Sequence, residues 1–131
     1  MKVGLFIPCY VNALYPEVGT ATYKLLTHLG VDVDYPLGQT CCGQPMANAG
    51  FETMAQEQAD RLDQLFAPYD YVVAPSASCA AFVKTKYPHI LKEKHECMTS
   101  NKIMDVVEFI HDVVKPTSLP SRFPHVVSIH N

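Results

Sequence analysis

The stretch Tyr71-Val72-Val73-Ala74-Pro75-Ser76-Ala77-Ser78-Cys79 decides the fold of this chain. Its first four residues are apolar in succession, a pattern typical of a strand that is buried on both faces of a sheet. Pro75 ends the strand because proline cannot donate a ladder hydrogen bond. We predict that a short helix begins near Cys79 and ends before Pro88. The cysteine therefore follows the carboxyl end of a buried strand.

Other short apolar runs predict further strands around this one. Residues 3–7 (VGLFI) form a second continuous run, and residues 31–35 and 126–129 are shorter candidates. Strands that alternate with helices predict a three-layer, Rossmann-like α/β fold, in which a mainly parallel sheet lies between layers of helices. The 131 residues are enough for a single domain of this kind.

Apolar residues at helical spacing predict three longer helices. The first begins near Pro16 and ends at Gly30, and the second covers residues 51–66. The third begins after Ser100 as N-cap and stops at Pro116.

Charge and hydropathy exclude several classes of protein. The net charge of -3 shows no basic footprint, so no nucleic-acid partner is expected. No apolar run approaches the ~20 residues that cross a bilayer, and residues 1–7 are too short to be a signal-peptide core. We expect a cytoplasmic protein, in which cysteines stay reduced and serve as ligands or catalysts.

Four of the five cysteines lie in predicted loops or at helix starts. In Cys41-Cys42-Gly43 the two side chains point apart, which suits a metal cluster whose irons are held by separate thiolates. Cys9 and Cys79 both follow predicted strands, so we expect them at one edge of the sheet, where ligands of open α/β sheets bind. Cys97 lies in a charged stretch, and we interpret it as a small buried apolar residue without a chemical role.

These residues alone leave three kinds of site open. The first is an iron–sulfur cluster. The second is a zinc ion that stabilises an interaction domain, although the cysteine pairs spaced by two to four residues that are usual for structural zinc do not occur here. The third is a metal-free thiol–disulfide redox protein that works through Cys41, Cys42 and Cys79.

The spacing of the cysteines resembles that of the cysteine-rich CCG domain family. Thirty-one residues separate Cys9 from Cys41, and thirty-six separate Cys42 from Cys79. The family pattern is a cysteine, a gap of thirty-odd residues, Cys-Cys-Gly, a similar gap and Cys-x-x-Cys. The family includes one of the components of heterodisulfide reductase, the glycolate oxidase iron–sulfur subunit and lactate-utilisation protein A.

Three stretches are similar to the lactate-utilisation protein A branch of that family. They are residues 15–19 (YPEVG), 39–45 (QTCCGQP) and 75–81 (PSASCAA). Ser76 stands where the general pattern has the first cysteine of Cys-x-x-Cys, and this branch carries serine there as well. The resemblance covers essentially the whole chain.

The resemblance implies a cofactor and a role. The cofactor is an iron–sulfur cluster of the 4Fe-4S type, bound at Cys9, Cys41, Cys42, Gly43 and Cys79, with the four cysteines as metal ligands. The role is electron transfer in a multi-subunit complex that oxidises L-lactate to pyruvate, with sister lactate-utilisation subunits as partners. The hydride chemistry is expected on another subunit, and an aerobic preparation is expected to lack the cluster.

The resemblance also predicts how the chain is divided. Members of the family usually contain two copies of the domain. We expect residues 1–124 to form one copy and residues 125–131 to begin a second, truncated copy. A homodimer of such a half-length chain is one way to cover the apolar surface that the missing copy would leave.

Overall fold

The centre of the fold is a four-stranded parallel sheet. The computed structural model describes residues 1–119 and 121–128. Each adjacent pair of strands runs parallel, in the order β2-β1-β3-β4. The predicted α/β class is thus confirmed. The strands are β1 (Val3–Leu5), β2 (Val33–Asp34), β3 (Tyr71–Ala74) and β4 (Ile103–Asp105).

Helices cover both faces of the sheet and complete the three predicted layers. None of the helices in the described part of the chain is long and apolar enough to cross a membrane. A π-helix over Ile110–Val114 continues the last α-helix. The α-helices are α1 (Cys9–Leu14), α2 (Pro16–His28), α3 (Gln44–Asn48), α4 (Glu52–Phe66), α5 (Ala77–Leu91) and α6 (Val106–Phe109).

Alternate residues of β3 face the two helical layers. Val72 and Ala74 belong to the core that includes Phe66 of α4 and the apolar face of α5. Val73 belongs to the second core, together with Phe109 of α6 and a buried leucine of α2. Each of these side chains is fully buried, and burial of one large apolar side chain contributes about 1.5–3 kcal/mol. The continuous apolar run in the sequence reflects this burial on both faces.

The predicted helix from Ser100 to Pro116 is wrong in its first third. Ile103 pairs with Val72 of β3, so β4 extends the sheet where the sequence predicted a helix. The N-cap is Asp105, whose Oδ1 accepts hydrogen bonds from the backbone N–H groups of residues 107 and 108 at 2.7 and 3.0 Å. Strand pairing and this later cap outweigh the helical spacing of the apolar residues.

The helix that carries Cys79 also runs further than predicted. α5 continues through Pro88 to Leu91. Proline removes one backbone hydrogen bond, to the carbonyl four residues earlier. Tyr87 and Leu91 flank the proline and are both fully buried, so tertiary packing holds the last turn in place.

The predicted strand over residues 126–129 is not formed in its described part. Val126, Val127 and Ser128 are exposed and adopt no strand conformation, since they have no ladder to pair with. Ile129 lies outside the described residues. The assignment of residues 125–131 to a second copy of the domain stays a prediction.

Candidate functional site

The two central strands lead into loops that diverge at one edge of the sheet. After β1 the chain turns to α1 and α2 on one face, and after β3 it turns to α5 on the other face. A crevice at such a switch of direction is the usual ligand site of an open α/β sheet. Cys9 is the first residue of α1 and Cys79 is the third residue of α5. Both predicted cysteines therefore lie at this crevice, on the same edge.

The loop that carries Cys41 and Cys42 is fastened to the end of β1 by Gln39. The Gln39 Oε1 atom accepts a hydrogen bond from the N–H of Ile7 at 3.0 Å. Its Nε2 atom donates to the carbonyl of Leu5 at 2.7 Å. The side chain thus pairs with the backbone as a neighbouring strand would, and it brings the cysteine pair to the crevice.

Tyr87 of α5 holds the same loop from within the core that contains Cys42. Its hydroxyl donates to the carbonyl oxygen of Cys42 at 2.8 Å, and its ring is fully buried. Burial, followed by the nearby Cys42 and Cys41, raises the pKa of Tyr87, so the phenol keeps its proton. The contact fixes the loop backbone directly beside the second cysteine.

Gly43 is required by the backbone that follows the cysteine pair. Its φ angle is +91°, in the left-handed region, and it is the N-cap residue of α3. A β-carbon at this position would lie 3.1 Å from the backbone oxygen of Ala55, so α4 leaves no room for a side chain. The N–H of Gly43 points back to the Sγ atom of Cys41 at 3.4 Å.

The four loop cysteines lie at one edge of the sheet, at different depths. Cys42 and Cys79 are buried together in one core, Cys41 is partly buried against the same core, and Cys9 is exposed. The site therefore runs from the surface at Cys9 to the interior at Cys79.

Electrostatics favour a thiolate at Cys79. The hydrogen bond from Cys42, followed by those from the Ser76 and Ser78 hydroxyls, lowers the pKa of Cys79 to about 6, against the opposing effect of burial. The same contact with Cys79, then burial, raises the pKa of Cys42, so the first proton leaves the pair at Cys79. Burial, then the contact with Cys41, raises the pKa of Cys9. The position of Cys79 in the first turn of α5 adds to this preference for negative charge.

Ser76 supports this thiolate and does not cap α5 with its side chain. It occupies the N-cap position, but no backbone N–H group of the helix bonds to its hydroxyl group. The Ser76 Oγ atom accepts from the Tyr10 hydroxyl at 3.0 Å and lies 3.4 Å from the Ser78 Oγ atom. Tyr10 of α1 is thereby connected to the start of α5 across the crevice.

Cys97 lies apart from the other cysteines. It precedes β4, and its thiol donates to Oδ1 of Asp63 at 3.3 Å near the C-terminal end of α4. Asp63 is fully buried and also accepts from the backbone N–H of Thr99 at 2.7 Å. This end of α4 leads into the amino end of β3, so Cys97 is at the opposite edge of the sheet.

The four loop cysteines suit a soft metal centre with several metal atoms. Their donors are all sulfur, and peptide N–H groups surround them, as at iron–sulfur sites. Within residues 1–119 and 121–128, no three His, Cys, Asp or Glu side chains are grouped as a single metal ion would need.

Sequence reasoning did not find Gln39 or Tyr87, although both hold the site together. Gln39 is a polar residue in a loop, and Tyr87 precedes a proline that predicts the end of a helix. Neither residue has a local pattern that predicts its distant partner. Their roles depend on contacts 32 to 45 residues away along the chain.

Comparison with known families identifies the domain that carries these cysteines. The family model described as "CCG: Cysteine-rich domain" matches residues 3–84, which include all four loop cysteines. This chain belongs to the cysteine-rich CCG domain family. The match also includes the Gly43 turn and the first half of α5.

Curated relatives of this CCG domain share its sequence over almost its full length. It is 42% identical to lactate utilization protein A of Geobacillus kaustophilus (strain HTA426), over 99% of this chain and 58% of that relative. It is 40% identical to lactate utilization protein A of Geobacillus thermodenitrificans (strain NG80-2), with the same two shares, 99% and 58%. The protein of that name from Oceanobacillus iheyensis is 38% identical, over 99% of this chain and 55% of the relative. The chain thus spans less than two thirds of each of these relatives.

Proposed function

We propose that this chain is an iron–sulfur-binding, electron-transferring part of a system that oxidises L-lactate to pyruvate. The observation that carries the proposal is that Cys9, Cys41, Cys42 and Cys79 lie at the switch point between β1 and β3, with Cys42 and Cys79 buried in one core and Cys41 packed against it.

Cys9, Cys41, Cys42 and Cys79 would hold the cluster through their sulfurs, with a 4Fe-4S type as the proposed form. When bound, an iron–sulfur cluster accepts and releases single electrons. The chain's own groups prepare the site for negatively charged sulfur. The N–H of Gly43 is directed at the Cys41 sulfur, and the Ser76 and Ser78 hydroxyls help to lower the pKa of Cys79. Hydrogen bonds of this kind to ligand sulfurs tune the reduction potential of such clusters.

The link to lactate rests on the printed names of the relatives and on their 36–42% identity to this chain. Because the chain spans 58% or less of these proteins, the substrate, the sister lactate-utilisation subunits as partners and the cytoplasmic location are parts of the proposal. Hydride transfer from lactate is assigned to another subunit, since the chain has no flavin or nicotinamide motif.

Anaerobic reconstitution with iron and sulfide tests this proposal. The reduced chain should gain visible absorbance together with stoichiometric iron and acid-labile sulfide. Cys42→Ser and Cys79→Ser should lose most of both, while Cys97→Ser should keep them, because Cys97 is at the other edge of the sheet. Unchanged absorbance in Cys9→Ser, Cys42→Ser and Cys79→Ser would contradict the assignment of these ligands. A reduced chain that takes up neither iron nor sulfide would favour the metal-free thiol–disulfide alternative.

A further inference from the structure

One hydrogen bond between two side chains spans the crevice from α1 to α5. The Tyr10 hydroxyl donates to the Ser76 Oγ atom at 3.0 Å, although 66 positions separate the two residues in the chain. Tyr10 directly follows Cys9 in α1. Ser76 is the N-cap residue of α5, and Cys79 lies in the first turn of that helix. The bond therefore ties the turn after β1 to the turn after β3.

Burial anchors this bond at its Ser76 end. Ser76 is 5% exposed, whereas Tyr10 is 44% exposed. No backbone N–H group of α5 bonds to the Ser76 hydroxyl, and a second side-chain oxygen, Ser78 Oγ, lies farther away at 3.4 Å. A buried hydroxyl group that loses its partner is costly, so the bond to Tyr10 is favoured although the tyrosine ring is open to solvent.

The rest of α1 is anchored on the other side of the sheet. The helix has six residues, of which Val11 alone is buried. Val11 belongs to the core on the sheet face opposite α5, and Cys9 at the start of the helix is exposed. The Tyr10 hydroxyl therefore supplies a link across the crevice that the packing of Val11 does not provide.

We propose that Tyr10 is a positioning residue for the cysteine site. Its bond to Ser76 holds the turn that carries Cys9 against the start of α5, and it restricts access to the buried thiols of the crevice. The inference rests on the proposed function, because the group that the site is positioned to hold is the iron–sulfur cluster. Ligands that are held in place before metal binds lose less conformational freedom on binding. A cluster should therefore be retained longer when the bond is present.

Alkylation of the reduced, metal-free chain tests the bond without reference to iron. Cys79 and Cys97 are both buried, at opposite edges of the sheet, so both should react slowly with iodoacetamide. Tyr10→Phe keeps the ring and removes the hydroxyl. Cys79 should then react about 2- to 10-fold faster, while Cys97 should keep its wild-type rate. Mass spectrometry follows the two reactions separately, because the cysteines fall on different tryptic fragments, 62–84 and 95–102.

Two further variants separate this bond from other effects of the substitution. Tyr15→Phe removes the hydroxyl of an exposed tyrosine at the C-terminal end of α1, and should leave the rate at Cys79 unchanged. In a Ser76→Ala background the acceptor is absent, so Tyr10→Phe should no longer change that rate. A Tyr10→Phe effect that persists in this background would overturn the proposal. An equal acceleration at Cys79 and Cys97 would also overturn it, because the whole fold would then be loosened.

The reconstituted chain extends the test to the cluster. After anaerobic loading with iron and sulfide, Tyr10→Phe should lose iron to an iron(II) chelator about 2- to 10-fold faster than the wild type and Tyr15→Phe. Equal rates of iron loss would overturn the role of Tyr10 at the cluster. A chain in which Tyr10→Phe opens the crevice, but which never takes up iron, contradicts only the proposed function. A chain that takes up iron, but whose Cys79 reacts no faster in Tyr10→Phe, contradicts only the role of Tyr10.

Discussion

The hydroxyl of Tyr87 donates a 2.8 Å hydrogen bond to the carbonyl oxygen of Cys42, a residue 45 positions earlier in the chain. Tyr87 lies in the second half of α5, whereas Cys79 lies in its first turn. One helix therefore both supplies a cysteine to the crevice and fixes the backbone of the cysteine pair. The geometry of the site depends on the packing of α5 as much as on the loop itself.

Removal of this hydroxyl should weaken both the fold and the site. Tyr87→Phe keeps the ring and leaves the Cys42 carbonyl without its partner, at a cost of about 1–3 kcal/mol in the free energy of unfolding. Urea denaturation of the metal-free, reduced chain measures this cost. Tyr23→Phe is the matched control, since Tyr23 is 44% exposed and its change should cost less than about 0.5 kcal/mol. Equal stabilities of the two variants would show that the buried bond does not hold the loop.

Gly43 should tolerate a methyl group less well than another glycine of the same conformation. Gly43→Ala places a β-carbon 3.1 Å from the backbone oxygen of Ala55 and forces a φ of +91° on alanine, so we expect a cost of about 2 kcal/mol or more. Gly50→Ala has a similar φ, +83°, with no atom within 4 Å, and should cost about 1 kcal/mol. The difference between the two variants in thermal or urea unfolding measures the contact with α4. A Gly43→Ala protein as stable as Gly50→Ala would mean that α4 moves aside.

We expect the stability of the fold to depend on pH through His95, which lies close to Cys97 in the chain. The ring Nε2 atom lies 2.9 Å from Oδ1 of Asp60, and Nδ1 lies 3.0 Å from the carbonyl of Glu96, so both nitrogens face acceptors. The Glu96 carbonyl, then Asp60, raises the pKa of His95, and His95, then Lys94, lowers the pKa of Asp60 to about 2. The charged ring therefore bonds to an ionised carboxylate over most of the acid range.

The direction of this pH dependence follows from the two pKa values. Below about pH 6.5 the ring is charged in both the folded and the unfolded chain. The contact between His95 and Asp60 then makes its full contribution to the free energy of unfolding. The contribution is lost as the pH rises through the raised pKa of folded His95, and it is also lost at low pH as Asp60 is protonated near its lowered pKa of about 2. Because both groups are partly exposed, we expect this contact to contribute less than about 1 kcal/mol to the free energy of unfolding.

A double-mutant comparison at two pH values measures this effect. The loss in the free energy of unfolding caused by His95→Gln should be larger at about pH 6 than at about pH 8.5. In an Asp60→Asn background the difference between the two pH values should shrink. A loss that is the same at both pH values in the wild-type background would assign the pH dependence to other groups.

The central layer of the fold could be predicted from the sequence because it depends on local patterns. The continuous apolar run at Tyr71–Ala74 and the helical stripe of α4 match the observed elements. Predictions failed where a distant contact decided the outcome. Ile103 lies in β4 because it pairs with Val72 of β3. Helix α5 continues through Pro88 because the residues on both sides of the proline are buried.

The positions of the four loop cysteines in the fold could be predicted from the sequence, but the residues that support their loop could not. The cysteines have a recognisable spacing, and their place after strands follows from the fold. Gln39 and Tyr87 act through backbone atoms of remote segments, and no residue type or spacing predicts such bonds.

The most direct test of the proposed cluster site is electron paramagnetic resonance of the chain purified and kept without oxygen, then reduced with dithionite. We predict the signal of an iron–sulfur cluster, with matching iron and sulfide content, in the wild type and in Cys97→Ser, and its loss in Cys79→Ser. A chain that is free of iron after this preparation, with all five thiols reduced, would contradict the cluster site. So would a full signal in Cys79→Ser.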